Sequence, residues 1–468
     1  MVENGRIKED MEDMGGRRMI LSNLKIKKLY GNYNYDVKFN KDITLIYGLN
    51  GCGKTTILNI ITAIITGKLY KLFNYDFHSI KLEYCNEINL DILYKICIKK
   101  DNDSIDSLKV IFNDYEQNIY KLQIPEDRKR RINGVDDIYF EEYSILNDIR
   151  KEFNYVYLAL NRAISLSDSD EYYYAFRRRH YFEEDDIIEP DIIDPEIRYI
   201  ENLISMKYTT ASSLTNEISN QFRNLILKSS LNVNVQTDFE KIFLDFNGNR
   251  FNKNDILGIQ DSYIKILDDL KILSKEEKEQ YKVFFGNYIK RINSLKKNAK
   301  IPIDEMFGLF IEHNEMKKIQ GIVNIAAETE QKKAYIMHPI ELFLNTVNNF
   351  VSSSDLKKKI RININGRIYF STENSNQKLS IQFLSSGERQ LLVFFANLIF
   401  GVKDTSSGIF VVDEPELSLH LSWQKVFVEK ALEVNNNVQF IFATHAPEII
   451  GARRNKMFKL EKKYTKVV

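Results

Sequence analysis

Cysteine is scarce in this 468-residue chain. Cys52, Cys85 and Cys97 show neither paired nor metal-ligand spacing, so a disulfide framework and a zinc site are not signalled and a reducing cytosol is the expected setting. Net charge is missing too. Sixty-six basic residues stand against 65 acidic ones, a balance of +1, so no global field draws the chain to DNA or to an acidic membrane, and any basic patch must be local. Long apolar runs are also absent. The longest, Leu391 to Val402, has 12 residues and contains Asn397, too short to span a bilayer. Residues 1–18 are charged, lack the apolar stretch of a signal peptide, and read as a disordered tail. No heptad pattern runs through several repeats, which argues against a long coiled-coil arm. What is present, 44% hydrophobic and 28% charged residues, describes a soluble, cytoplasmic globular protein without a membrane segment. Its length calls for two or three domains.

The most informative stretch runs from Ile43 to Thr56. An apolar, β-branched run, Ile43-Thr44-Leu45-Ile46-Tyr47, ends in Gly48-Leu49-Asn50-Gly51-Cys52-Gly53-Lys54-Thr55-Thr56, and a helical pattern (Ile57, Leu58, Ile60, Ile61, Ile64) follows at once. Gly48, Gly53, Lys54 and Thr55 fit G-x-x-x-x-G-K-[ST] in its strand–loop–helix context. Glycines let the backbone wrap a phosphate with its N–H groups turned inward, and the helix start adds its positive dipole end. Asn50, Gly51, Gly53, Lys54, Thr55 and Thr56 are therefore candidates to hold a nucleoside triphosphate. Lys54 supplies a point charge for the β- and γ-phosphates, and Thr55 a hydroxyl for Mg²⁺.

Around this stretch the first half of the chain reads as strands. They are placed at Met19 to Lys28, Tyr35 to Phe39, Ser79 to Leu82, Ile92 to Ile98 and Leu108 to Phe112, the last three forming a meander. Tyr30 and Tyr33 are candidates to stack on adenine, against a core or surface role. Tyr155 to Leu160 is a buried-strand pattern ending at Asn161-Arg162, where α/β ATPases reach toward nucleotide; the alternative there is a structural salt bridge. Arg128 to Arg131 and Arg177 to His180 lie beside acidic runs and read first as self-neutralised loops, with nucleic-acid contact or docking as the minority reading. From about Pro195 to Asn345 the pattern is helical and without motifs. It includes a capping box at Ser274-x-x-Glu277, and His313 and His338 are without metal-ligand companions.

Three further motifs follow in the second half. Ile360 to Ile364 and Arg367 to Phe370 flank an Asn365-Gly366 hairpin turn. Then Leu384-Ser385-Ser386-Gly387-Glu388-Arg389-Gln390 opens an apolar helix that stops at Gly401. A Ser-Ser-Gly turn there offers hydroxyls and N–H groups to an anion. Ile409 to Val412 is a buried strand ending in Asp413-Glu414-Pro415, and Phe440 to Thr444 is another ending in His445. At the carboxyl ends of parallel strands these groups face the same crevice as the phosphate loop. There Asp413 is a candidate magnesium ligand, Glu414 a base for the attacking water, and His445 a donor to the γ-phosphate.

Phosphate loop, Leu-Ser-Ser-Gly-Glu, Asp-Glu-Pro-Glu and a final histidine, in that order, resemble the ABC-type ATPases. The resemblance implies an α/β fold: a P-loop ATPase head formed from N- and C-terminal segments (19–194 and 346–468), with a helical insertion lobe over 195–345. It implies ATP and Mg²⁺ as cofactors and a head-to-tail dimer. In that dimer Gly48 to Thr56 of one subunit would face Ser385, Ser386, Gly387 and Glu388 of the other. The family's magnesium-contacting Gln is matched best by Asn161, with Arg162 beside it, a departure from the pattern.

Within the family, Gly48 and Asp413 stand most of the chain apart, and Glu416-Leu417-Ser418-Leu419-His420 has His where transporters usually carry Asp. With Thr444-His445-Ala446-Pro447-Glu448, this looks like the RecF, SMC and overcoming-lysogenization-defect (OLD) group. OLD proteins carry a TOPRIM nuclease after the ATPase. This chain ends soon after His445, so a nuclease is expected to act in trans. The layout resembles the stand-alone ATPases of anti-phage systems, of the PARIS type (AriA, with a TOPRIM effector) or the Septu type (PtuA, with an HNH nuclease). The expectation is a cytoplasmic defence ATPase. ATP-dependent assembly would control an effector nuclease, with a phage protein as a possible trigger. A RecF/SMC-like DNA repair or replication ATPase is the alternative, and it needs a local basic DNA face. A transporter energiser is disfavoured by the insertion and His420, and a slow ATP-gated scaffold by the intact Glu414 and His445.

Overall fold

A computed structural model of the chain describes residues 19–87, 89–100, 106–122, 135–158, 164–166, 187–188, 190, 194–231, 253–270, 274–296, 303–352, 357–401, 408–461 and 463–464. The tail expected over 1–18, the basic runs at 128–131 and 177–180, and Asn161 and Arg162 lie outside the described residues. The chain divides into two compact units: Met1–Lys207 with Pro339–Val468, and Tyr208–His338.

In the first unit, β1 (Met19–Leu29) alternates: Leu24 and Ile26 are buried while Lys25 and Lys27 face water. That period of two is what a sheet with one solvated face requires. β1 pairs antiparallel with β2 (Tyr33–Lys38). The strand entering the phosphate loop, β3 (Ile43–Tyr47), is instead buried from Ile43 to Ile46, the pattern of a parallel strand covered on both faces. Helix α1 (Lys54–Ile65) starts directly after the loop and buries Ile57, Leu58, Ile60, Ile61 and Ile64, the apolar stripe that the sequence predicts.

The meander is longer than its sequence pattern suggests. β4 (Ser79–Asn86), β5 (Asn89–Lys100), β6 (Ser107–Phe112) and β7 (Tyr115–Tyr120) continue the antiparallel sheet on from β1. Helices α2 (Val135–Glu142) and α3 (Ser144–Glu152) add Tyr139, Phe140, Ile145, Leu146 and Ile149 to the core shared with α1. β8 (Tyr155–Leu158) and β9 (Ile164–Leu166) join the β3 sheet, and β10 (Ile187–Ile188) belongs to a third.

Among the described residues four helices follow: α4 (Pro195–Leu231), α5 (Lys253–Asp269), α6 (Lys275–Lys296) and α7 (Ile303–Val351). The second unit contains α5, α6 and most of α4 and α7. Its core includes Ile256, Tyr263, Leu267, Phe285, Tyr288, Met316 and Ile319. Helix α6 opens with the predicted capping box: Ser274 Oγ accepts the Glu277 N–H at 3.2 Å, and Glu277 accepts the Ser274 N–H at 2.8 Å. His313 is buried with Nδ1 2.8 Å from the Tyr288 hydroxyl, a core histidine as expected.

The chain then returns to the first unit. β11 (Lys359–Ile362), β12 (Ile368–Thr372) and β13 (Ser375–Ser380) form the third sheet with β10. The turn between β11 and β12 is wider than an Asn-Gly pair. Gly366 N–H donates to Asn363 O, so Gly366 closes a turn that begins two residues earlier than Asn365, and Ile364 is left exposed. Helix α8 (Ser386–Ala396) runs into a π-helical turn, Asn397–Gly401, in which the buried Asn397 amide donates to Val393 O at 2.7 Å.

β14 (Gly408–Asp413), α9 (Leu421–Val434), β15 (Val438–Thr444), the short helix α10 (Pro447–Ile450), β16 (Met457–Lys459) and β17 (Lys463–Tyr464) complete the order. The sheet that contains β3 runs β16-β3-β15-β14-β8-β9, parallel except for β9. One fully buried side chain joins it to the antiparallel sheet. Gln439 Oε1 accepts the Leu21 N–H at 2.8 Å, and its Nε2 donates to Leu21 O at 2.9 Å and Asn40 O at 2.8 Å. Among the described residues no helix is long and apolar enough to cross a membrane.

Gln439→Leu keeps most of the volume but strips three backbone groups of their partner, two of them, on Leu21, buried. An expected loss of about 2–4 kcal/mol would lower the urea unfolding midpoint. An unchanged midpoint would show that Gln439 does not hold the two sheets together.

Candidate functional site

The phosphate loop leaves β3 with its backbone crowded from below. A Cβ at Gly48 would stand 2.6 Å from Cys52 Sγ and 3.3 Å from Leu460 O, so a larger residue would have to displace the Cys52 side chain and press on Leu460. Gly51 and Gly53 have φ of +78° and +102°, the left-handed region that glycine tolerates. Tyr35 of β2 supports the turn: its hydroxyl donates to Cys52 O at 3.0 Å and would touch a Cβ at Gly53. Burial pushes that hydroxyl up to about 12, so it stays a donor. Asn50, Gly51 and Thr55 are exposed, and Thr56 is half-buried. Lys54 is only 6% exposed, and its ammonium donates to Gly48 O at 2.9 Å and Leu49 O at 3.4 Å, curling over its own loop.

β15 pairs with β3 on one side and β14 on the other, in parallel. Thr444 stands beside Tyr47 and Asp413 beside Ala443, so the carboxyl ends finish at one level. Asp413 is 4% exposed, and neither of its carboxylate oxygens has a hydrogen-bond partner among the described residues. Burial holds its carboxyl above the ordinary carboxylate range. The charges of Glu414 and Glu416 add to that, while the Thr55 hydroxyl and the Lys54 ammonium oppose it. The reach of Thr55 and Lys54 to Asp413 shows that distant ends of the chain meet. A buried, partnerless carboxylate beside a threonine hydroxyl fits a divalent cation.

Glu414 follows with φ of +50°, an unusual conformation for a residue with a Cβ, while its N–H donates to Ala443 O at 2.8 Å. His445 reaches the same place from β15, its Nδ1 3.9 Å from Glu414 Oε1. It lies closer to a residue that the motif reading left without a role: Glu416 Oε1 is 3.0 Å from the ring Nδ1.

The serine turn is a helix cap in full. Ser385 Oγ accepts the Glu388 N–H at 3.4 Å, and Glu388 Oε2 accepts the Ser385 N–H at 2.8 Å and its hydroxyl at 2.9 Å. Lys358 adds an ion pair to Glu388 at 2.8 Å. Glu388 was expected among the nucleotide-facing residues; its carboxylate is instead buried and taken up by the cap and Lys358. Ser385 and Ser386 are exposed. Gly387 is buried so closely that a Cβ there would run into Ser418 O, which presses the turn against the loop after β14. Gln390 donates to Pro415 O at 3.2 Å, another contact with that loop. Among the described residues no hydrogen bond of Ser385 reaches the phosphate loop of its own chain. His420, read from sequence as a branch marker, caps α9: its Nδ1 accepts the Ser422 N–H at 3.3 Å. Asn161 lies outside the described residues.

Tyr35 and Lys358 belong to no motif, and Glu416 closes Asp-Glu-Pro-Glu without a role assigned to it. The sequence signal for Glu416 was its place two residues after Glu414; the other two had none.

Comparison with known proteins follows this geometry. The AAA ATPase domain family model matches residues 19–450. The probable ATPase of retron Vc95 from Vibrio cholerae serotype O1 biovar El Tor is 22% identical over 184 residues, 36% of this chain and 35% of that protein. The probable ATPase of retron Ec83 from Escherichia coli is 30% identical over 86 residues, 16% of each. The matches thus span about a third and a sixth of these relatives' lengths. Among solved structures, the Smc head domain with an extended coiled coil bound to the C-terminal domain of ScpA, from Pyrococcus furiosus, aligns over 96% of both chains. That likeness is loose, with a TM-score of 0.40 and 13% identity.

The ionisation of Asp413 gives a signed prediction. Its folded pKa is raised, so the fold binds more protons than the unfolded chain, and its contribution to stability is lost as pH rises through the folded value. In metal-free buffer near pH 7, Asp413→Asn should be more stable than wild type by about 1–3 kcal/mol. The gap should close as pH falls into the ordinary carboxylate range. Equal melting temperatures at neutral pH would contradict an unpaired carboxylate.

Proposed function

We propose that this chain, which belongs to the AAA ATPase domain family, binds ATP with Mg²⁺ at the carboxyl ends of β3, β15 and β14 and hydrolyses it there. The observation that carries the reading is Asp413, buried without a hydrogen-bond partner among the described residues and within electrostatic reach of Lys54 and Thr55. Asn50, Gly51, Gly53 and Thr56 cradle the phosphates with Lys54, whose ammonium leaves the carbonyls of its own loop for the β- and γ-phosphates. Asp413 and Thr55 hold the magnesium, with Asn161 as a further ligand. Magnesium, when bound, supplies positive charge that neutralises the triphosphate and polarises the phosphoryl group under attack. Glu414 takes the proton from the attacking water, and His445 contacts the γ-phosphate.

The exposed turn at Ser385, Ser386 and Gly387 serves the nucleotide of a second copy in a head-to-tail dimer, with Glu388 holding its shape from beneath. The relation to probable ATPases of retrons supports a role in anti-phage defence. ATP-driven assembly in the cytoplasm controls a separate effector nuclease, of the PARIS or Septu kind, in response to a phage protein. The helical insertion, placed at 195–345, is where such partners dock.

Glu414→Gln should retain ATP, slow hydrolysis by about 10²–10⁴-fold and accumulate a closed dimer. Lys54→Ala should lose nucleotide binding. Mass photometry of Glu414→Gln with ATP and Mg²⁺ checks this, and finding only monomer would sink the dimer reading. Copurification with the products of adjacent genes tests the effector: a nuclease partner is expected, and a membrane permease would point to transport instead.

A further inference from the structure

Glu416 has no part in the reaction just described, yet its carboxylate holds a half-exposed group that does. Glu416 is 7% exposed, while the His445 side chain is 48% exposed. Its Oε1 accepts the His445 backbone N–H at 2.9 Å and faces the ring Nδ1 at 3.0 Å. The loop beneath Glu416 is pinned. Leu419 N–H donates to Glu416 O at 3.0 Å, Gln424 Nε2 donates to Glu416 O at 3.3 Å, and the same amide donates to Leu419 O at 2.9 Å. A carboxylate carried on a backbone anchored this way has less freedom to follow a swinging ring. The ring follows it.

The chemistry of the pair then assigns the two ring nitrogens. An ionised carboxylate only accepts, so the nitrogen facing it carries a proton. That nitrogen is Nδ1, and Nε2 is left for whatever occupies the crevice. An exposed imidazole without such a partner would sample several rotamers and both tautomers. Stapling the end of β15 to the loop after β14 needs only the backbone N–H of His445. The second contact, to the ring, is beyond what that staple requires.

We infer that Glu416 is the positioning residue for His445: it fixes the orientation of the ring and its Nδ1–H tautomer, so that Nε2 is presented to the terminal phosphate or the water beside it. The kinetic part of this inference rests on the ATPase reading above, and the tautomer part does not.

The test uses full-length protein. Long-range ¹H–¹⁵N spectra of ¹⁵N-histidine-labelled protein, with His445→Gln identifying the signal, should show the Nδ1–H tautomer in wild type and a mixture in Glu416→Ala. In ATPase assays with Mg²⁺, Glu416→Ala should lower kcat to within about threefold of His445→Ala and leave KM for ATP within about threefold of wild type. The double variant should be no slower than His445→Ala alone, since the two groups act as one unit. Glu416→Gln retains an oxygen that accepts both N–H groups and should recover at least about tenfold of the loss in Glu416→Ala. An Nε2–H tautomer in wild type, or effects of Glu416→Ala and His445→Ala that multiply, would overturn the inference. Absence of ATP hydrolysis by wild type would count against the ATPase reading, while the wild-type spectrum would still decide the pairing. If Glu416→Ala does not fold, the spectra of wild type and Glu416→Gln decide it.

Discussion

β15 lies between β3 and β14, parallel to both, and the geometry of the candidate site follows from that placement. A parallel pair needs a crossover between its strands, and here the excursion from β3 to β14 takes in most of the chain. Register matters because strand faces alternate: a one-residue slip of β14 would exchange the directions of Val412 and Asp413. Gln439 ties β15 to β1 and to the loop before β3, making the start of β15 common to both sheets. The ladder does not merely support the site. It determines which residues can meet.

Within that frame the site is strained and electrostatically unbalanced. Asp413 is buried with no hydrogen bond to its oxygens among the described residues, Glu414 adopts a left-handed backbone, and Lys54 bonds to carbonyls of its own loop. A buried carboxylate in this state weakens the fold and favours a cation, so the stability lost there is available to ligand binding. The loop 414–420 brings several parts of the site together. It carries Glu414, holds His445 through Glu416, and packs beneath the serine turn at Ser418 and Pro415. A shift in this loop would be felt both at the carboxylates and at Gly387.

Some of this was legible from local pattern. The phosphate loop, the helix behind it, the capping box at Ser274 and the buried strands at Ile43 and Ile409 show themselves because their physics spans a few residues. Alternation, a 3.6-residue stripe, a glycine where φ is positive and a hydroxyl three residues before a carboxylate are each complete within one turn or strand. The expectations that needed revision depended on more distant groups. Asn365-Gly366 has the composition of a two-residue turn, but the pairing of β11 with β12 widens it. Glu388 closes a local capping box with Ser385, and Lys358, 30 positions earlier, adds an ion pair that no local pattern shows.

The sequence by itself determined the chemistry available to the protein: a glycine loop with Lys54 and Thr55, paired carboxylates at the end of an apolar strand, a histidine at the end of another, and the family to which that order belongs. Only the tertiary structure decided how those groups are held. The contacts of Tyr35 beneath the phosphate loop, Gln439 between the sheets and Glu416 behind His445 follow no spacing rule, because each joins segments that meet only in the folded chain. Side-chain type is written residue by residue, whereas burial and partnership are properties of the assembled fold.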